Sequence, residues 1–312
     1  MYNIDEIEEN KVWDLIIIGL GPAGLGCAIY ATRFDIDVLV IGTSYGGLIT
    51  TTHIVENYPG ITTVSGSELM EMFRDHINSL NIPYITDEIR EIEKENDIFI
   101  LKSFFQKFKT KSLCFATGSE RRKLNIPGEE KYSGNGVSYC ATCDGPFFKD
   151  KKVGVIGGSD SAAKEALFLA NHASMVYIIY RRDEIRAEPI NKERVLQTEN
   201  IELIYNTNIV EIKGNEKVKS VIFDSGEEFE IDGVFIEIGS VPNSELAKQI
   251  GVETNEKQEI IINRKSETNV AGVFAAGDVA DAPFKQAVTG VSEGVVAAYS
   301  AFDHLRNKEI EY

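Results

Sequence analysis

The chain has 312 residues, 43% of them apolar and 26% charged, the balance of a soluble globular protein with room for two ordinary domains. Its net charge of −17 disfavours a nucleic-acid partner, whose phosphates would repel it. No apolar run reaches the ~18–20 residues that cross a bilayer, and Met1 to Asn10 is acidic, without the order of a signal peptide, so a cytoplasmic protein with no membrane partner is expected.

Asp14 to Ile18 is a short apolar run suited to a buried parallel strand. It enters Gly19-Leu20-Gly21-Pro22-Ala23-Gly24, a complete G-x-G-x-x-G. A helical stretch from Leu25 to Arg33 and a second apolar run, Val38 to Ile41, follow. Strand, glycine turn, helix and strand in this order form the dinucleotide-binding unit. Gly19 allows the tight turn, Gly21 lets a pyrophosphate approach the backbone, and Gly24 lets helix and strand pack closely. Free N–H groups and the partial positive charge of the helix start suit the phosphates. The acid that often holds a ribose is missing, since Gly42 and Thr43 follow the second run.

Gly46 to Thr52 and Glu56 to Gly60 read as polar loops. Ser67 to Leu80 is expected as a capped amphipathic helix, Pro83 to Phe108 as strands and hairpins, and Leu113 to Gly118 as a strand ending in a small-residue turn. Lys123 to Glu130, with Pro127 and Gly128, reads as a hinge or linker.

Cys140-Ala141-Thr142-Cys143-Asp144 comes next. Two cysteines at this spacing are within reach of a disulfide, and neighbouring groups can make such a thiol reactive. A carboxylate at Asp144 is placed to move protons beside a thiolate. A structural staple or half of a zinc site is the bland alternative. Zinc takes about four ligands, whereas the other cysteines, Cys27 and Cys114, stand apart with four scattered histidines. Redox chemistry is the reading preferred, with no metal.

The opening pattern then returns. Lys152 to Ile156 is a strand, Gly157-Gly158-Ser159-Asp160-Ser161-Ala162 a second turn, Ala163 to Asn171 a helix and Val176 to Tyr180 a strand. Ser159 stands where the second glycine belongs. Arg181, Arg182 and Arg186 follow the strand with no acid in the ribose position, which suits a 2′-phosphate and so NADPH; a solvated basic turn is the alternative. Lys217 to Ile231 reads as a hairpin pair and Val234 to Ile238 as a strand. Val273 to Val279 is a strand and turn bearing Asp278, and Ala287 to His304 a helix.

From about Trp13 to His304 these segments, in this order, resemble the low-molecular-weight thioredoxin reductases, and the Cys-Ala-Thr-Cys-Asp segment ahead of the second glycine turn is the most specific of them. The resemblance implies an α/β fold of two Rossmann-like three-layer domains, the second inserted into the first. An FAD domain would comprise 1–121 and 244–312, and an NADPH and disulfide domain 122–243, with hinges at Lys123 to Pro127 and Ser240 to Asn243. FAD would lie on Gly19, Gly21, Pro22, Ala23 and Gly24. Gly46, Gly47, Leu48, Thr51, Asn57, Ala116, Thr117 and Gly118 would line it too, with Gly277, Asp278, Lys285, Gln286 and Ala287 from the far end of the chain. NADPH would use Gly157, Ser159, Asp160, Ser161, Ala162, Arg181, Arg182 and Arg186. Cys143 matches the thiol facing the flavin, Cys140 the one attacking thioredoxin, and Asp144 the proton donor. A homodimer is implied, its inserted domain rotating between nicotinamide and disulfide exposure.

Departures from the family pattern fall mostly on the pyridine-nucleotide and docking side. They are Ser159, Tyr180 for a histidine, Lys285 for an arginine, Leu48 for a glutamine, and Asn135 for a docking arginine, while Phe147 keeps part of an apolar docking surface. Two readings therefore stand beside an NADPH-dependent thioredoxin-disulfide reductase. One keeps the flavin and disulfide but draws electrons from ferredoxin or a deazaflavin. The other is a flavin-binding redox sensor without turnover.

Overall fold

The computed structural model describes residues 11–52 and 54–310. Cα proximity divides the chain into Met1–Glu120 with Val241–Tyr312, and Arg121–Ser240. The expected cuts, after 121 and 243, lie one and three residues from these.

In the first unit β1 (Val12–Ile18) leads into α1 (Pro22–Arg33) and β2 (Val38–Gly42). Leu15 and Ile17 point into one core, and Ile16 and Ile18 into another on the opposite face of the sheet. Burial on both faces explains an apolar run without alternation, and each such side chain contributes about 1.5–3 kcal/mol of burial. Helix α2 (Gly66–Ser79) begins in a capping box: Ser65 Oγ accepts from the Glu68 N–H, and the Glu68 carboxylate accepts from the Ser65 N–H. After β3 (Tyr84–Thr86), the strands β4 (Glu91–Glu95), β5 (Ile98–Lys102) and β6 (Lys107–Phe115) form an antiparallel meander. β6 is long enough for a second role, pairing with β1 in parallel.

Crossing strands β7 (Ser119–Arg121) and, later, β16 (Ser240–Pro242) form a two-stranded ribbon. Between them lies the second unit. β8 (Val137–Ser138) precedes a one-turn helix α3 (Ala141–Asp144), then β9 (Lys152–Ile156), α4 (Asp160–Ala170) and β10 (Met175–Tyr180). Helix α5 (Pro189–Gln197) joins β10 to β11 (Ile201–Tyr205). An antiparallel sheet, β12 (Ile209–Gly214), β13 (Val218–Phe223) and β14 (Glu228–Glu230), precedes β15 (Gly233–Ile236). The parallel sheet has the order β11-β10-β9-β15-β8. Its residues Val155 and Ile178 pack with α4, whereas Ile156 and Ile179 pack with Val221 and Phe223 of the antiparallel sheet, giving three layers.

The chain returns to the first unit through α6 (Glu245–Lys248), β17 (Val273–Ala275) and α7 (Ala287–Ile310). β17 joins the sheet alongside β6, so strands from both ends of the sequence share one sheet. Helix α7 lies against α1 at backbone distance: a Cβ on Gly294 would come within 2.2 Å of the Ala23 carbonyl oxygen. The glycines of a helix that otherwise favours alanine are thus a packing requirement.

Candidate active site

The first glycine turn sits at the C-terminal end of β1, where open α/β sheets bind ligands. Gly19 has φ +127°, and a Cβ there would lie 2.0 Å from the Ala116 carbonyl oxygen. Gly24 is closed off in the same way by the Gly19 carbonyl oxygen, also at 2.0 Å. At Gly21, by contrast, the nearest atom to an added Cβ is the Gly46 carbonyl oxygen, 3.8 Å away. Space therefore opens beside the backbone where a pyrophosphate would lie. Helix α1 starts with Pro22, has no side-chain cap and no acid in its first turn, so its leading N–H groups lack a side-chain acceptor. Ala23 lies within that first turn, under Gly277 and Gly290. Such a cradle fits a dinucleotide phosphate.

Gly46 and Gly47, both at positive φ, carry the chain past this turn into a 3-10 turn over Gly47–Thr51. Leu48 is exposed and the Thr51 hydroxyl donates to the Leu48 carbonyl. Asn57 Nδ2 donates to Gln286 Oε1 at 3.1 Å, joining two expected flavin-site residues from opposite ends of the sequence. Thr117 Oγ1 donates to the Asn243 carbonyl and Asn243 Nδ2 to the Thr117 carbonyl, which locks the turn Ala116-Thr117-Gly118. Asp278 is half-buried, and desolvation raises its pKa although Lys285 and Ser119 pull it down. A partly desolvated carboxylate just past a strand end suits a ligand hydroxyl. Lys285 Nζ is held by Glu259 at 2.5 Å and by the Asp278 carbonyl at 2.8 Å, just ahead of Gln286 and Ala287. Glu293 went unnoticed in the sequence: its carboxylate accepts the Gly277 N–H at 2.8 Å, and burial raises its pKa. A lone glutamate in a helix carries no signal of that kind.

In the second unit Gly157, at φ +150°, turns the chain at the end of β9. Ser159 caps α4, its Oγ accepting the Ala162 N–H at 3.4 Å. That explains why α4 starts at Asp160, three residues earlier than expected. The serine thus partly occupies an N–H that a phosphate would use. Ser161 is exposed at the start of the same helix. Asp160 ties down the segment ahead of α5 by accepting the Glu188 N–H at 2.9 Å and Asn191 Nδ2 at 2.8 Å, besides pairing with Lys164. Burial opposes its charge, but these partners hold its carboxyl below the usual range. The Arg186 N–H donates to the Gly158 carbonyl at 2.6 Å, and Arg186 Nε to the Tyr180 hydroxyl. Arg181, Arg182 and Arg186 are all exposed, at the end of β10 beside the glycine turn. Tyr180, where the family has histidine, lies against Gly158: a Cβ there would fall 2.5 Å from its ring. Three cations thus stand at the end of β10 beside the second glycine turn.

Cys140 and Cys143 form a disulfide, with Cα atoms 5.3 Å apart. Cys143 is exposed, while Cys140 and Asp144 are half-buried. Ser138 Oγ accepts the Cys140 N–H, and Cys140 Sγ caps α3 by accepting the Cys143 N–H at 3.1 Å. The strand leading in is held by Tyr139, whose hydroxyl donates to the buried Glu129 at 2.6 Å. Among the described residues no three His, Cys, Asp or Glu side chains gather as a metal site. The remaining cysteines, Cys27 on α1 and Cys114 on β6, meet in the core of the first unit, where their mutual hydrogen bond and burial raise the Cys27 pKa. Sequence distance hid that pairing.

Residues 13–294 match the pyridine nucleotide-disulphide oxidoreductase family. The thioredoxin reductase of Bacillus subtilis (strain 168) is 38% identical over 94% of this chain and 95% of its own. The crystal structure of Lactococcus lactis thioredoxin reductase is also 38% identical, with a TM-score of 0.91 over 95% of this chain and 99% of that one. A ferredoxin-flavin thioredoxin reductase from Clostridium acetobutylicum is similar at 34% identity, with a TM-score of 0.53 over 95% of this chain and 98% of that one. With two glycine turns, an intervening redox-type disulfide and a match along nearly its whole length, the chain belongs to the pyridine nucleotide-disulphide oxidoreductase family, in its low-molecular-weight thioredoxin reductase branch.

Proposed function

We propose that the protein is an NADPH-dependent thioredoxin-disulfide reductase that works as a homodimer in the cytoplasm. FAD belongs in the unit built from both chain ends, and NADPH in the inserted one. The observation that carries the reading is the Cys140–Cys143 disulfide lying directly ahead of a glycine turn flanked by Arg181, Arg182 and Arg186. Bound flavin supplies two-electron transfer between a pyridine nucleotide and a disulfide. Opening the Cys140–Cys143 bond takes two electrons and two protons, and Asp144, next to Cys143, is placed to hand a proton to a sulfur. A thiolate then attacks the disulfide of a thioredoxin, one partner sulfur leaves, and the second cysteine resolves the mixed disulfide. Phe147, 81% exposed three residues beyond Asp144, offers that partner an apolar contact.

Family likeness assigns the attack on thioredoxin to Cys140. Exposure favours the reverse, because Cys143 is open while Cys140 is half-buried and its sulfur accepts a backbone N–H. Trapping separates the two orders. Cys140→Ser should hold a stable mixed disulfide with a thioredoxin lacking its resolving cysteine if Cys143 attacks, and Cys143→Ser should hold one if Cys140 does.

The relative named for ferredoxin keeps a second donor in view, and Ser159 is the observation in its favour, since it caps an N–H of the pyridine-nucleotide turn. Anaerobic addition of NADPH tests the choice. Rapid bleaching followed by reduction of a thioredoxin supports the proposal, whereas a flavin bleached by dithionite but untouched by NADPH sinks it.

A further inference from the structure

Behind the disulfide lies a buried charge cluster that the steps above leave unused. Arg121, at the end of β7, stands between two carboxylates, Glu165 on α4 at 3.5 Å and Glu237 just past β15, with which it makes a direct ion pair. The two glutamate side chains are only 14% and 8% exposed. One guanidinium does not balance two buried carboxylates, so such a site favours retention of a proton. Glu165 is the group that keeps it: burial pushes its carboxyl up to about 7, although Arg121 and the Ala141 N–H pull it down. Its Oε2 is buried without a hydrogen-bond partner.

The same carboxylate reaches the redox loop. It accepts the N–H of Ala141, the buried residue next to Cys140. Helix α3 packs on α4, with Ala141 in one core with Ala162, Ala166 and Leu169, and a Cβ on Gly145, the residue after α3, would lie 3.0 Å from the Phe168 ring. Charged groups on the elements around α4 are Asp144 on α3, Lys152 on β9, Lys192, Glu193 and Arg194 on α5, and Glu202 on β11. Lys192 pairs with Glu184 and Lys164 with Asp160, and Arg121 is the cation whose charge acts on Glu165.

We propose that Glu165 is a positioning residue of the dithiol: it holds the Cys140 end of the loop through Ala141, and its charge sets how readily the reduced cysteines ionise. The proposal rests on the redox reading of this disulfide. An ionised Glu165 opposes a thiolate on α3, and a neutral one does not. Reduced cysteines are therefore more nucleophilic when Glu165 carries its proton, and Arg121 with Glu237 decides when that is.

The test is alkylation of the reduced holoprotein. Wild type, Glu165→Gln and Glu237→Gln are reduced with dithiothreitol, desalted without oxygen and treated with iodoacetamide from acid to mildly alkaline pH. Mass spectrometry follows Cys140 and Cys143, with buried Cys27 and Cys114 as the internal reference. Glu165→Gln keeps the acceptor for Ala141 but loses the charge, and should alkylate up to about twofold faster near pH 7, where about half of wild type already carries the Glu165 proton, and several-fold faster as pH rises past about 8, toward a limit of about tenfold for one unit of thiol pKa. Glu237→Gln leaves Arg121 to ionise Glu165, and should alkylate more slowly than wild type below pH 7. Superimposable profiles, or shifts of the same sign in both variants, overturn the proposal. If Glu165→Gln does not fold, the sign of the Glu237→Gln shift decides. Turnover with thioredoxin is followed in parallel: opposite shifts without turnover would end the reductase reading and leave Glu165 with its role.

Discussion

Two substitutions in one glycine turn should behave in opposite ways if the turn is a phosphate cradle. At Gly24 an added methyl group would lie 2.0 Å from the Gly19 carbonyl oxygen, far inside contact distance, and both partners are backbone. Overpacking of this kind costs about 1–3 kcal/mol, so Gly24→Ala apoprotein should melt roughly 2–10 °C lower for a domain of this size. At Gly21 the backbone is extended, φ −85° and ψ −178°, and the nearest atom to the new Cβ is 3.8 Å away. Alanine fits there and restricts the unfolded chain, worth about 0.4–1 kcal/mol of added stability. Its methyl group, however, projects into the space a pyrophosphate would fill. Apo Gly21→Ala should melt at or slightly above wild type yet purify nearly colourless. Melting of the apoproteins is the right comparison, because bound flavin would itself add stability. Visible absorbance relative to protein absorbance gives the flavin content. A yellow, fully loaded Gly21→Ala would refute the cradle, and an unshifted Gly24→Ala would refute the packing argument.

Ser65→Ala removes the capping box of α2 and should cost about 1 kcal/mol in urea unfolding of the first unit. Glu165 gives a pH dependence of definite sign. Its folded-state pKa, about 7, lies above the ordinary 4.5, so the folded protein holds the extra proton; stability is full below about pH 4.5 and falls as pH rises toward 7. The loss is at most about 3 kcal/mol, and Glu165→Gln should flatten that part of the unfolding curve; an unchanged slope would contradict the burial argument. Replacing Arg181 and Arg182 together by glutamine should raise KM for NADPH about tenfold or more while leaving NADH nearly unaffected. Equal effects on both nucleotides would mean that the arginines form only a solvated turn.

Much of this fold could be read locally. Both glycine turns, the capping residue of α2 and the β13–β14 hairpin depend on neighbours within a few residues, and they fall close to where sequence reasoning places them. Other features depend on partners far along the chain. β17 lies beside β6, Cys27 beside Cys114, and Asn57 on Gln286, none of which local periodicity encodes. Helix α5 leaves no mark in the sequence, because Pro189 to Gln197 buries only Asn191 and Val195, too narrow a stripe to show as amphipathic. Glu165 and Glu237 escaped notice for a further reason: in a sequence this acidic, a glutamate announces nothing until burial sets it apart.

The central claim is that electrons held by a bound flavin pass to Cys140 and Cys143. Anaerobic reductive titration of the flavin-loaded protein, beside a variant with both cysteines replaced by serine, tests it most directly. The account predicts that wild type consumes twice as much reductant per flavin as the variant before bleaching is complete, because the disulfide takes up a second pair of electrons. Equal consumption by the two proteins would contradict it.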